Sequence, residues 1–397
     1  MAKVLDGIRV LDFSRYISGP YCGMLLADMG AEVIRVERPG GEDDRNLGPF
    51  TPDGQAMAYA IALPRNKKSL TLNIRTERGR QILSELVRRA DIVLHNFTPT
   101  AEEAKVLHYD SLKAINPSII GVIITGFGQE GPSAGKTCFD SIAQAMSGAM
   151  SYGGFPGSPP TRASVPYVDF SSGLSAALGA MFALFHRERT GIGQLVDISM
   201  LDVAFGFVAG TGVAAEYRVL GEVRQQIGNS SFYNFTDCFK ARDGWVMISI
   251  VGRGLWRRFC RAIGREELID DPRFKDDMAR YLNRDQITPF VAEWMGQRTM
   301  EEAIRQLEGA RLPCGPVNTI AEAVEDRQIA ARQMLVEVDQ PGVGKIPIPG
   351  VAIRLSQSPG RVETCAPALG EHNEEIYCGL LGLEREELTR LKQENVI

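Results

Sequence analysis

The sequence predicts an α/β protein, with a Rossmann-like large domain on a parallel sheet and a second, smaller α+β domain. Short β-rich runs alternate with helical runs through the first two hundred residues. The texture changes around 220–235, and a Pro/Gly-rich stretch precedes a charged helical tail. A chain of 397 residues has room for two or three domains.

"GIRVLDF" (7–13) reads as the first strand, and "PYCGMLLADMG" as a helix with Pro20 at its first position and Gly30 as its stop. "AEVIRVE" (31–37), "SLTLNI" (69–74), "DIVLHNF" (91–97) and "IIGVIITGFG" (119–128) are further strands, and "TERGRQILSELVRRA" (76–90) is an amphipathic helix. Such βαβ alternation implies a parallel sheet with ligands at the carboxyl ends of its strands. A long helix over 170–188 begins just after Asp169, and "LVDISMLDVAF" reads as a strand running into a helix. "FKARDGWVMISI" (239–250) is a hairpin with Asp-Gly at its turn, followed by helices at 253–263, 286–297 and 299–309. The stretch 340–360 reads as an extended linker, and 371–394 as a helical tail.

The net charge of -5 argues against a general nucleic-acid binder. The opening "MAKVLDGIRVLDF" shows no signal-peptide pattern. The most apolar run, "GLSAALGAMFALF" (173–185), is shorter than the roughly 20 residues a bilayer span needs, so no membrane partner is expected. Seven cysteines without a CxxC pair, and four histidines without ligand spacing, lead us to expect a reduced, cytoplasmic protein without a metal site.

Asp169 stands alone in "PTRASVPYVDFSSGLSAALGAMFALF" (160–185), where a carboxylate needs compensation for lost hydration. It reads as a helix N-cap or, in the same geometry, as an acid held ionised and nucleophilic by the helix start. The loop "SRYISGP" (14–20) follows the first strand, where a ligand or a plain connection is expected; it lacks the G-x-G-x-x-G of a dinucleotide site. Arg38 in "ERPGGEDDR" could stack on a base or meet a phosphate, against the commoner reading of a solvated charge run. "LPRNKKSL" (63–70) is a basic patch, and Asn96 with Phe97 in "HNFTPT" suits a nucleotide-like ligand or an ordinary turn. His95 and His186 read as structural.

Long motifs resemble the class III CoA-transferases, the formyl-CoA transferase and CaiB/BaiF type. They are "GIRVLDFSRYISGPYCGMLLADMGAEVIRVERPGG", "NKKSLTLNI", "ADIVLHNFTP", "ITGFGQEGP", "FDSIAQAMSG", "VDFSSGLSAALGAMFALFHRERTGIGQLVDISMLD" and "LGEHNEEIYCGLLGL". The resemblance runs from about residue 5 to 383. It implies coenzyme A thioesters as substrates with no tightly bound cofactor, a small carboxylic acid as acceptor, and an interlocked homodimer. It implies a large domain over 1–200 completed by 360–397, a small domain over 226–322, and linkers at 201–225 and 323–359. Residue by residue, Asp169 falls on the nucleophile. Tyr16, Ile17, Ser18, Arg38, Leu72, Asn73, Ile74, Arg75, Asn96, Phe97 and Thr98 fall on coenzyme A contacts, and Lys105, Lys136, Phe139 and Asp140 complete the implied set.

Three positions depart from the family pattern. Ala104 stands near a phosphate-binding arginine, leaving Lys105 as a point-charge substitute. Phe139 replaces the tyrosine of a Tyr-Asp pair, and "SIVGRGLW" (249–256), with Gly252 and Gly254, replaces a glycine loop. The implied chemistry is attack of Asp169 on a thioester, with succinyl-CoA a candidate donor, amides at the helix start as candidate oxyanion donors, and "YGGFPGSPP" and "VGRG" as loops that exclude water. The rivals are a 2-methylacyl-CoA racemase, disfavoured because Phe139 stands where a racemase has histidine, and a non-catalytic CoA-binding protein.

Overall fold

The computed structural model describes residues 3–51, 54, 56, 57 and 61–397. These form two units: 1–149 with 162–221 and 327–397, and 150–161 with 222–326.

The first unit is built on six parallel strands: β1 (Arg9–Asp12), β2 (Glu32–Glu37), β3 (Lys67–Thr71), β4 (Ile92–His95), β5 (Ile120–Thr125) and β6 (Leu195–Ser199). Their order is β3-β2-β1-β4-β5-β6. The order reverses between β1 and β4, and that switch point opens a crevice beyond their carboxyl ends. The central strands are apolar on both faces because both are covered. Val10, Val33, Ile92 and Val122 face one core with Leu26, Ala176 and Ala180. Leu11, Ile34, Leu70 and Val93 face the other with Leu83 and Leu86 of the Glu77–Val87 helix.

The two chain ends meet in this second core, where Ile376, Tyr377, Leu388 and Leu391 pack beside the N-terminal strands. Tyr377 Oη donates to the Thr71 carbonyl at 2.6 Å, and Asn73 N–H donates to the Val396 carbonyl at 2.8 Å. Under the crevice, buried Lys67 Nζ reaches Asp12 Oδ2 at 2.8 Å and the Pro20 carbonyl at 2.9 Å, tying β3, β1 and the first helix together. Removing one partner of such a buried pair costs about 3–5 kcal/mol.

Several elements differ from the sequence reading. The first helix is Ser18–Asp28, so Pro20 is its third residue, still in the first turn where its missing N–H is unneeded. The long helix is Tyr167–Thr190 and starts before Asp169. Its 24 residues are long and apolar enough to cross a membrane by length and composition, unlike the 173–185 run taken alone. Its Ala176, Ala180 and Ala183 nevertheless pack against the sheet at 0–1% exposure. The span 201–225 carries helices Met200–Gly210 and Val213–Leu220. The stretch read as linker overlaps an antiparallel hairpin, Leu335–Gln340 with Gly344–Pro349. The tail is a π-helical turn, Glu375–Leu380, and then an α-helix, Arg385–Gln393.

In the second unit, strands Phe235–Lys240, Trp245–Ile250 and Cys314–Pro316 make an antiparallel sheet. Helices Gly252–Ala262, Arg284–Gly296 and Met300–Gly309 cover it around Trp256, Phe259 and Val291. Gly252 opens the first of these helices, its N–H held by the Asp277 carboxylate at 2.8–2.9 Å. The run 249–256 is therefore strand and helix rather than a glycine loop.

Candidate active site

The loop after β1 and the loop after β4 are locked across the switch point by one side chain. Asn96 Oδ1 accepts from Arg15 N–H at 2.9 Å, while its Nδ2 donates to the Arg15 carbonyl at 2.8 Å and to Ser18 Oγ at 3.3 Å. Tyr16 takes a left-handed backbone conformation, φ 65°, with its N–H donating to Asp44 Oδ2 at 3.0 Å. Few residues other than glycine adopt that region without a holding partner. Gly173 brings the Tyr167–Thr190 helix against this loop: a Cβ there would sit 2.4 Å from the Ser18 carbonyl oxygen.

Two adjoining cavities run from this junction. One, of 340 Å³, is lined by Tyr16, Ser18, Asn96, Phe97, Thr98, Phe139 and Asp169. The other, of 300 Å³, is lined by Arg38, Leu72, Asn73 and Ile74. Arg15, Arg75, Phe97 and Glu103 line both, so the two make one trough. Arg15 lies 4.7 Å over the Phe97 ring and pairs with Glu42 at 2.6 Å. Exposed Arg75 pairs with Glu103 at 2.7 Å, and Arg15 reaches the same carboxylate at 3.8 Å. An anionic ligand could take both guanidiniums from that shared partner. Sequence reasoning missed Arg15 and Glu103, although Arg15 lies inside the "SRYISGP" loop it singled out.

Other expected residues stand apart from the trough. Ile17 buries its side chain against Met24 and Leu63. Lys105 pairs with Glu102 at 2.6 Å and lines a separate 260 Å³ cavity with His95, so it does not take the place of the arginine expected at Ala104. Ala104 is packed in the core, Lys136 is exposed outside the trough, and Asp140 is buried. His95 is buried, and burial pushes it down to about 4, so it is neutral; its Nδ1 accepts from Phe97 N–H at 3.4 Å. His186 is exposed on the long helix.

Asp169 is the third residue of its helix rather than the cap, which corrects the N-cap reading. The cap is supplied from elsewhere: Asp140 Oδ1 accepts from Val168 N–H at 2.8 Å and from Asp169 N–H at 3.2 Å. Tyr167 and Phe170 N–H donate to the Val165 and Pro166 carbonyls. The first-turn amides are thus all occupied, and the oxyanion role expected of them falls away. Nor does the helix start hold Asp169 ionised. Burial first, and the Asp140 charge second, push its carboxyl up to about 7. The edge of the Phe139 ring meets Tyr16 with centroids 5.7 Å apart. Buried Thr125 Oγ1, also in this cavity, has no hydrogen-bond partner among the described residues.

This arrangement sets a half-buried carboxyl, poised near neutrality, at one end of a trough with arginines and an aromatic ring along it. It suits covalent capture of an acyl group from a long anionic carrier. Comparison with known proteins gives the family. The model of CoA-transferase family III matches residues 5–373. The chain is 37% identical to a succinyl-CoA–D-citramalate CoA-transferase from Chloroflexus aurantiacus, covering 100% of this chain and 98% of that one. It is 36% identical to a formyl-CoA:oxalate CoA-transferase from Streptomyces coelicolor, over 100% of both chains. A CAIB/BAIF family protein from Brucella suis superposes with a TM-score of 0.82 at 34% identity, covering 96% of this chain and 100% of that chain.

Proposed function

The chain belongs to CoA-transferase family III and is a CoA-transferase, and from that premise we propose that Asp169 is the covalent relay, taking first the donor acyl group and then CoA itself as CoA passes from a donor acyl-CoA to a small carboxylic acid. The observation that carries this reading is the position of Asp169, whose half-buried carboxyl lines the cavity at one end of the trough.

In the proposed cycle an Asp169 oxygen attacks the donor thioester carbonyl; a C–O bond forms, the C–S bond breaks, and CoA thiolate leaves an acyl-aspartyl anhydride. The thiolate attacks the aspartyl carbonyl, releasing the donor acid and leaving an aspartyl-CoA thioester. The acceptor carboxylate displaces CoA to form a second anhydride, and the thiolate attacks its acyl carbonyl to give the new acyl-CoA and free Asp169. No net proton is consumed, and each step keeps one carbonyl activated, as a thioester or an anhydride. In this reading Arg15 and Arg75 meet the carrier's phosphates, Arg38 and Phe97 its adenine end and pantetheine arm, and Asn96 holds together the loops after β1 and β4.

Donor and acceptor are proposed only as classes, because the two transferases named above act on different acids; succinyl-CoA is the first donor to try. A two-copy assembly in the cytoplasm is part of this reading. The pairing of two copies is supported by an exposed apolar row on one face of the long helix: Leu174, Leu178, Phe182 and Phe185, 49–64% exposed. The test is to incubate the protein with succinyl-CoA, quench with hydroxylamine or borohydride, and map the modified peptide. A hydroxamate or alcohol at Asp169, absent in Asp169→Ala, is expected. An unmodified peptide with activity surviving the substitution would overturn the proposal.

A further inference from the structure

The helix that carries Asp169 begins without a cap of its own: Pro166 precedes it and makes no side-chain capping bond. The acid that caps it comes from another helix, Asp140–Met146, at a separation of 29 positions from Asp169. Asp140 is 6% exposed, and both its oxygens are engaged. Oδ1 takes the two amides of Val168 and Asp169, and Oδ2 accepts from Gln144 Nε2. Gln144 Oε1 in turn accepts from Ala163 N–H at 2.9 Å, which fixes the strand of chain leading into the nucleophile helix. The chain Ala163–Gln144–Asp140–Val168/Asp169 therefore pins both sides of the turn from which Asp169 projects.

Resting on the reading of Asp169 as acyl carrier, we propose that Asp140 is a positioning residue for it: by occupying the amides at the helix start, Asp140 withholds from Asp169 the hydrogen bonds that would tame its carboxylate, and fixes the direction in which that carboxylate enters the cavity. A carboxylate that accepts two or three backbone N–H bonds is a weak base. One stripped of them, in a partly dehydrated site, is a stronger base and a better nucleophile. The same carboxylate charge on Asp140 adds to burial in raising Asp169. The other ionisable groups nearby do not substitute for this effect. Arg15 and Arg75 are tied to Glu103, and burial pushes the Cys138 thiol up to about 11, so it stays neutral. Tyr21, Asp197 and Asp202 lie on the helices and strand packed against the long helix, outside the lining of the Asp169 cavity.

The role is distinct from mere support of the fold, and the two separate experimentally. Label the protein with carboxyl-13C aspartate, assign the Asp169 signal by its loss in Asp169→Asn, and follow it from pH 4 to pH 9. In the wild-type protein its midpoint is expected near 7. In Asp140→Asn the amide oxygen can still cap the helix while the charge is gone, and the midpoint is expected to fall by roughly one pH unit. In Gln144→Leu the charge remains and the clamp on Ala163 is lost, so the midpoint is expected to hold while the rate of acyl capture by Asp169 falls several-fold. A wild-type midpoint in the ordinary aspartate range overturns the proposal whether or not either variant folds, and so does an unmoved midpoint in folded Asp140→Asn. The titration needs no turnover. An absent Asp169 adduct therefore defeats the acyl-carrier reading, whereas an unmoved midpoint beside an intact adduct defeats only the role of Asp140.

Discussion

Replacing Asp169 with asparagine should make the protein more stable in alkaline solution and nearly indifferent in acid. The reasoning follows from where the carboxyl sits. Its value rises from the ordinary 3.8 to about 7, burial being the larger cause and Asp140 the smaller. For an acid raised in the folded state, the sign is unfavourable at high pH: the unfolded chain releases the proton readily, and the folded chain is charged against its surroundings. The penalty is absent below about 4, grows between 4 and 7, and is complete above 7. A rise of about three pH units at 1.36 kcal/mol each gives about 4 kcal/mol as an upper value, and partial exposure to water lowers it to about 2. Asparagine keeps the shape and never ionises. Thermal unfolding of wild type and Asp169→Asn, followed at pH 5, 6, 7 and 8, should show a gap in favour of the variant that widens to about pH 7 and then levels. A gap of about 2 kcal/mol is several degrees or fewer in a chain this long. A wild-type protein more stable than the variant at pH 8 would refute the reasoning, because the carboxylate would then have found partners that the structure denies it.

Asn96→Ala removes three hydrogen bonds that join the loops after β1 and β4. It should raise KM for acyl-CoA about tenfold and lower stability by about 1–3 kcal/mol, read by kinetics and thermal unfolding. Gly173→Ala places a methyl 2.4 Å from the Ser18 carbonyl oxygen and should cost about 1–3 kcal/mol through forced separation of the two helices; an unchanged unfolding temperature would contradict the contact. Light scattering should give about twice the 43.5 kDa chain mass, and Phe182→Glu on the exposed row should reduce it toward one chain, as an introduced charge does to an apolar interface.

Much of this was legible in the sequence because its signals are local. Alternating apolar runs located all six parallel strands, and the loops after the first and fourth strands stood out as candidate ligand loops, the first by its place at a strand's carboxyl end and the other by its Asn96-Phe97 pair, each against a plain connection. Asp169 stood out because an acid before a long apolar helix is costly unless used. What the sequence hid was non-local. Nothing near Asp169 announces that its helix amides belong to Asp140, 29 positions earlier. A local reading therefore gave the acid the cap it lacks and inverted the direction of its shift. Lys105 was misplaced because its neighbour Ala104 faces the core, which turns the lysine toward Glu102 and another cavity. The Leu335–Pro349 hairpin escaped notice because Pro347 and Pro349 discourage a strand reading. The alternation in "LVEVDQ" and the turn glycine Gly342, at φ 78°, were the signals available.

Oxygen tracing tests the central proposal most directly. Supply an acceptor acid with both carboxyl oxygens as oxygen-18, let the enzyme turn over repeatedly with an unlabelled acyl-CoA, and weigh the donor acid released. If Asp169 relays CoA through these anhydrides, each cycle leaves one heavy oxygen on its side chain, and once both of its oxygens are heavy every donor acid released carries one label. Donor acid released at natural abundance over many turnovers would contradict the account.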